Sequence, residues 1–177
     1  MHDYSKPDID YDFVYDFVET MTDKKQLKQL WSICDYKLSD TYAQKITCSF
    51  DIANRLSWMK YEEQENFVCV TLDNATEIIG IHKITLGLLN QCPVHPREAF
   101  KKAIQDNASC IIFAHNHPSG RTNPSQEDIA LTRMLTSCGK ILMIPVLDHI
   151  IIGRKEKEFS FANGYPELFE EKKFNIK

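Results

Sequence analysis

The chain has 177 residues, a hydrophobic fraction of 43% and a formal net charge of −4. That length fits one domain of ordinary size with a small appendage, and the apolar content supports a packed core rather than a disordered chain. Proteins that grip phosphate backbones in general present a basic face, so the acidic balance argues against that class.

The six cysteines, Cys34, Cys48, Cys69, Cys92, Cys110 and Cys138, are scattered and form no Cys-x-x-Cys pair. This suits neither a zinc ribbon nor a disulfide scaffold, and the apolar neighbours of most of them predict buried, reduced thiols. The start, MHDYSKPDIDYDF, is acidic and lacks the apolar stretch of a signal peptide. No apolar run approaches the roughly 20 residues that span a bilayer. A soluble, cytoplasmic protein is the expectation.

All six glycines lie at or after Gly80. The first third reads as helical: Phe13, Val14, Phe17 and Val18 recur at helix spacing, and Leu27, Leu30, Trp31 and Ile33 roughly repeat it. Asp51 is placed to cap a short helix through Trp58. From Asn66 the pattern turns to strand, with Phe67 to Leu72 ending in the turn signal Asp73-Asn74 and Glu77 to Leu86 completing a predicted hairpin. Pro96 opens a helix reaching about Asp106, and Ser109 to Ala114 suits a buried strand. A helix from Ser125 to about Ser137 follows, with Gly139 as its stop, then one or two strands within Lys140–Leu147 and His149–Ile152. Beyond Arg154 the chain is charged but keeps Phe159, Phe161, Tyr165 and Phe169, which predicts that part of it packs.

The segment between the buried strand and the long helix carries the chemistry. His115 and His117 are one residue apart, and in extended backbone such side chains point the same way, so both imidazoles converge on one point. Pro118-Ser119-Gly120 favours a turn, Ser125 is placed as the helix N-cap, and Asp128 falls at the third helical position, facing back toward the loop. Two histidines and a carboxylate leave a fourth tetrahedral position open, which is how catalytic zinc is held. Alone, a His-x-His pair says little, and Ser125 with Asp128 alone reads as a capping box. Together in one short stretch they are far more specific. Of the other histidines, His82 reads as a surface or core residue of a strand, and His95 as a cap or packing residue. Asp148-His149 reads as a strand-end hydrogen-bonding pair, or alternatively as support behind the ligands.

The spacing His115-x-His117, seven residues, Ser125, two residues, Asp128 resembles the JAMM signature of the JAB/MPN metalloprotease superfamily. It is most similar to the RadC-like branch, through VHPREAFKKAI (94–104), IIFAHNHPSG (111–120), PSQEDIALT (124–132) and IPVLDHIIIG (144–153). The resemblance implies an α/β fold, a mixed β-sheet flanked by helices. It divides the chain into a helical N-terminal appendage (1–45), a RadC-like JAB/MPN domain (46–164) and a C-terminal tail (165–177). It implies Zn2+ held by His115, His117 and Asp128. It also implies Glu65, in ENFVCVTLD, as general base, a residue that composition alone does not separate from Glu62 and Glu63. Ser125 would donate to the oxyanion, a task that competes with capping.

Two readings of function follow. The first is a zinc-dependent metallo-hydrolase cleaving a peptide or isopeptide bond in a peptide or protein substrate. The second is a non-catalytic DNA-repair or mobile-element accessory protein that binds nucleic acid or a partner protein. Full-length RadC-like proteins usually carry an N-terminal helix-hairpin-helix region, whose hairpins need glycine for close approach to phosphate. No glycine precedes Gly80 and Met1 to Glu19 is acidic, so that module is expected to be absent or replaced. Leu88 and Arg121 stand where relatives often carry Thr and Asp. Nucleic-acid deamination would require His-x-Glu and Pro-Cys-x-x-Cys, and neither occurs.

Overall fold

The computed structural model describes residues 45–86 and 94–170. The expected appendage, up to Gln44, and the last seven residues of the expected tail lie outside them, as do Cys34, Cys92 and Leu88. In chain order the elements are α1 (Ser49–Arg55), a 3-10 turn (Ser57–Tyr61), β1 (Asn66–Leu72), β2 (Ile78–Leu86), α2 (Pro96–Gln105), β3 (Cys110–Asn116), α3 (Gln126–Leu142), β4 (Val146–Ile152), β5 (Phe159–Ser160), α4 (Phe161–Gly164) and a closing 3-10 turn (Pro166–Leu168). The strands form one mixed sheet in the order β2-β1-β3-β4-β5. β1 runs antiparallel to both β2 and β3, and β3 runs parallel to β4.

Every residue of β1 and β3 is buried, because helices cover both faces of the sheet. Alternation sorts their side chains. Val68, Val70 and Leu72 pack with Ile52, Leu56 and Met59 of the α1 side, together with Ile112 and Ala114. Phe67 and Cys69 turn the other way, toward Phe100 and Ala103 of α2 and Leu135 of α3. A third cluster, Ile151, Phe161 and Leu168 with Ile129, Phe159, Tyr165 and Phe169 against it, shows that part of the chain after Arg154 does pack.

Several local expectations change. Asp51 is not the cap of α1. Cys48 is the N-cap, and Asp51 sits three residues in, where its carboxylate accepts from the backbone N–H of Thr47 and Cys48. α3 runs through Gly139 to Leu142 and ends at Met143, whose φ of 56° is left-handed. Gly139 serves close approach instead of termination, since a Cβ there would stand 2.6 Å from the Ile144 carbonyl oxygen. Residues 140–142 are therefore helix, and a single strand starts at Val146. Of the described cysteines, Cys69 and Cys110 are buried and Cys138 partly so, whereas Cys48 is exposed, and all four are free. His95 caps α2, its Nδ1 accepting from the Arg97 N–H.

Candidate metal centre

The β1–β3 register pairs Phe67 with His115. Glu65, two residues before Phe67, is thereby carried to the carboxyl end of β3, on the face that bears His115. β3 extends further than its apolar run, so His115 lies inside the strand and is fully buried. His117 follows directly, its N–H bonded to the Ile152 carbonyl of β4. The intervening Asn116 points to the opposite face. There its Oδ1 accepts from the Asn66 N–H at 2.8 Å and its Nδ2 donates to the Gln64 carbonyl at 3.2 Å.

The third contribution is the start of α3. Ser125 caps it and Asp128 completes the capping box: the Asp128 N–H donates to Ser125 Oγ, while the Ser125 N–H and hydroxyl donate to Asp128 Oδ2 at 2.8 and 2.7 Å. The box leaves Asp128 Oδ1 aimed at the histidines, 3.2 Å from His115 Nε2, with Oδ2 3.5 Å from His117 Nε2. Glu65 Oε1 lies 3.7 Å from His115 Nε2. One donor atom from each of Glu65, His115, His117 and Asp128 falls within 4.8 Å of every other. Thus all four residues expected around the metal are brought together, with Ser125 beside them.

The loop between β3 and α3 is clamped from the β4 side. Gly120 takes a φ of 81°, its carbonyl accepts from the Lys155 N–H, and Glu156 accepts from both the N–H and the hydroxyl of Thr122. A Cβ at Gly153 would meet the Gly120 oxygen at 2.6 Å, so glycine is required for this closeness.

The electrostatics follow from burial and pairing. Burial pushes Glu65 up to about 7, with Asp128 adding to the effect and His117 opposing it. Burial would also raise Asp128, but the neighbouring His115, His117 and Ser125 side chains outweigh it and hold that carboxylate well below its ordinary value. His115 is lowered by burial, whereas at His117 the Asp128 and Glu65 carboxylates overcome burial and raise it.

The residues present fit a divalent zinc-type ion. His115 Nε2 and His117 Nε2 face each other at 3.0 Å beside the Asp128 carboxylate, and two imidazoles with one carboxylate are a donor set that suits zinc. Glu65 Oε1 is buried without a hydrogen-bond partner, an orphaned acceptor pointing into the same space. Side-chain exposure sets the direction of access: His115 and Asp128 at 0% and 4% form the floor, and Glu65 and His117 at 16% and 18% form the rim.

His149 departs from its expected role at a strand end. It is fully buried within β4, and its Nε2 lies 2.8 Å from His115 Nδ1. Asp148 does serve local hydrogen bonding, accepting from the His149 N–H, the Ser160 hydroxyl and the Ala162 N–H. Sequence reasoning passed over Asn116 and Thr132. Strand alternation would have turned Asn116 toward the Glu65 backbone, and the four-residue step from Asp128 puts Thr132 on the same helix face. His82, on β2, pairs with Asp106 beyond α2, away from this cluster.

Comparison with known proteins adds the family context. A UPF0758 protein of Methanospirillum hungatei is 54% identical over 104 residues, covering 59% of this chain and 46% of the relative. A UPF0758 protein of Moorella thermoacetica is 51% identical over 98 residues, 55% of this chain and 43% of the relative. For a UPF0758 protein of Staphylococcus haemolyticus the identity is 45% over 125 residues, 70% and 55% of the two chains. The chain spans about half the length of these curated relatives. The RadC-like JAB domain matches residues 46–165, well over half of the sequence, and the chain belongs to that family.

Proposed function

We propose that the chain is a zinc-dependent hydrolase of a peptide or isopeptide bond, with a peptide or protein as substrate. The observation that carries this reading is the convergence of Glu65, His115, His117 and Asp128 within 4.8 Å, with a buried carboxylate oxygen of Glu65 left unpaired. His115, His117 and Asp128 would hold the metal. A zinc bound by two imidazoles and a carboxylate keeps one position for water and lowers the pKa of that water toward neutrality. Glu65, with its Oε1 unpaired and 3.7 Å from His115 Nε2, takes the proton of the attacking water and returns it to the leaving amine. Ser125 donates its hydroxyl to the developing oxyanion, for which its proton turns away from Asp128 Oδ2. The substrate arrives over the Glu65–His117 rim.

The functional module in this reading is the segment 46–164. A cytoplasmic setting suits the four free cysteines among the described residues. Among those residues no helix is long and apolar enough to cross a membrane.

Two measurements test the proposal. Metal analysis of the purified chain should return close to one zinc per chain, lost in His117→Ala; zinc far below that, and unaffected by the substitution, would sink it. A panel of peptide and isopeptide substrates should then separate wild type from Glu65→Gln, and equal inertness of the two would remove the hydrolase.

A further inference from the structure

Behind the cluster lies a chain of buried hydrogen bonds that the hydrolytic reading does not use. His115 Nδ1 is 2.8 Å from His149 Nε2, His149 Nδ1 is 2.6 Å from Thr132 Oγ1, and Thr132 Oγ1 is 2.6 Å from the Asp128 carbonyl oxygen. The path leaves one candidate ligand, His115, and returns to another, Asp128. His149 is fixed further by stacking on Phe161 at 4.9 Å between ring centres and by an edge contact with Phe67 at 5.4 Å.

The direction of the protons follows from which groups can only accept. A backbone carbonyl has no proton to give, so the Thr132 hydroxyl donates to Asp128 O. Having spent its proton there, the hydroxyl accepts from His149 Nδ1–H. The neutral His149 ring then presents a bare Nε2, which accepts from His115 Nδ1–H. That leaves the lone pair of His115 on Nε2, the atom facing His117 and Asp128. His117 reaches the same state more simply, because its Nδ1 faces the Arg121 carbonyl at 3.1 Å.

We propose that His149 and Thr132 are positioning residues that hold His115 in its Nδ1–H form, keeping the Nε2 lone pair available to a metal. The proposal rests on the metal-site part of the hydrolase reading, but its first readout needs neither metal nor substrate. With the chain reversed, Thr132 would donate to His149 Nδ1, His149 Nε2–H would donate to His115 Nδ1, and a proton would block His115 Nε2. Both arrangements carry the same number of ring protons. The Asp128 carbonyl selects between them by engaging the hydroxyl proton.

The test is long-range 1H–15N NMR of histidine-labelled protein, metal-free and zinc-loaded, combined with zinc affinity by chelator competition. Metal-free wild type should show His115 and His149 both protonated at Nδ1. Thr132→Val keeps the side-chain shape but has no hydroxyl, so the protons of both rings should move to Nε2 and zinc binding should weaken about 10- to 100-fold. Thr132→Ser should restore both. Finding His115 protonated at Nε2 in metal-free wild type would overturn the proposal even if Thr132→Val does not fold. So would a folded Thr132→Val with unchanged tautomers and zinc affinity. A wild-type chain that takes up no zinc, yet holds His115 as Nδ1–H, would remove the hydrolase and support this assignment.

Discussion

Asn116 holds the backbone on both sides of Glu65, accepting from the Asn66 N–H and donating to the Gln64 carbonyl. The residue between the two candidate histidine ligands thus fixes the strand that brings the candidate base. Asn116→Ala would leave the buried Asn66 N–H unpaired, a cost of about 1–3 kcal/mol. Denaturant unfolding should show that loss, with faster hydrogen exchange at the Asn66 amide. An exchange rate equal to wild type would mean that Asn116 does not secure this segment.

Gly139 offers a test in which two effects have opposite sign. An exposed helical glycine replaced by alanine gains roughly 1 kcal/mol from propensity. Here the added Cβ would stand 2.6 Å from the Ile144 oxygen, and overpacking of that kind costs about 1–3 kcal/mol. Gly139→Ala should therefore lower the thermal midpoint. A rise would show that the α3–β4 connection relaxes freely.

Ser125 has two tasks that can be separated. Replacing an N-cap serine with alanine costs about 1 kcal/mol, whereas glycine costs only a few tenths. Ser125→Ala should lose stability by that amount and Ser125→Gly should nearly keep it. If the hydroxyl also serves the oxyanion, hydrolysis should fall in both variants, by about 100-fold or more. A drop confined to Ser125→Ala would assign the residue to capping alone.

Asp106 accepts the Thr71 hydroxyl at 2.6 Å and pairs with His82 at 2.5 Å. The Thr71 hydrogen bond, with that from His82, outweighs burial and lowers its pKa. A carboxyl depressed in the folded state contributes stability that is present above its unfolded value, about 3.9, and is lost as pH falls through the folded value. The stability difference between wild type and Asp106→Asn should therefore persist at neutral pH and shrink below about pH 4. A difference that stays constant down to pH 2 would contradict the pairing.

Much of the fold and the ligand geometry was legible because it is local. Alternation in NFVCVTL and CIIFA, proline ahead of α2 and the Ser125–Asp128 spacing each report a neighbourhood of a few residues. Gly139 misled because a glycine late in a helix reads as a stop, and its true constraint, the returning Ile144 carbonyl, belongs to the next connection. His149 was weighed by its place near a strand end, yet its partner His115 lies 34 residues away across parallel strands. Glu65 looked like any solvated acid ahead of a strand; only the β1–β3 register carries it to the cluster.

That register also determines how such a site can diversify. β3 enters the cluster by its carboxyl end and α3 by its amino end, as a strand-helix-strand unit requires. β1 runs the other way and meets the same place at its amino end, with Glu65 just outside the sheet. Changes in chain length ahead of Gln64 would therefore remodel the approach to the base, leaving His115, His117 and Asp128 on their own frame. Under the proposed function, substrate choice and metal retention would then be free to evolve on separate stretches of the chain.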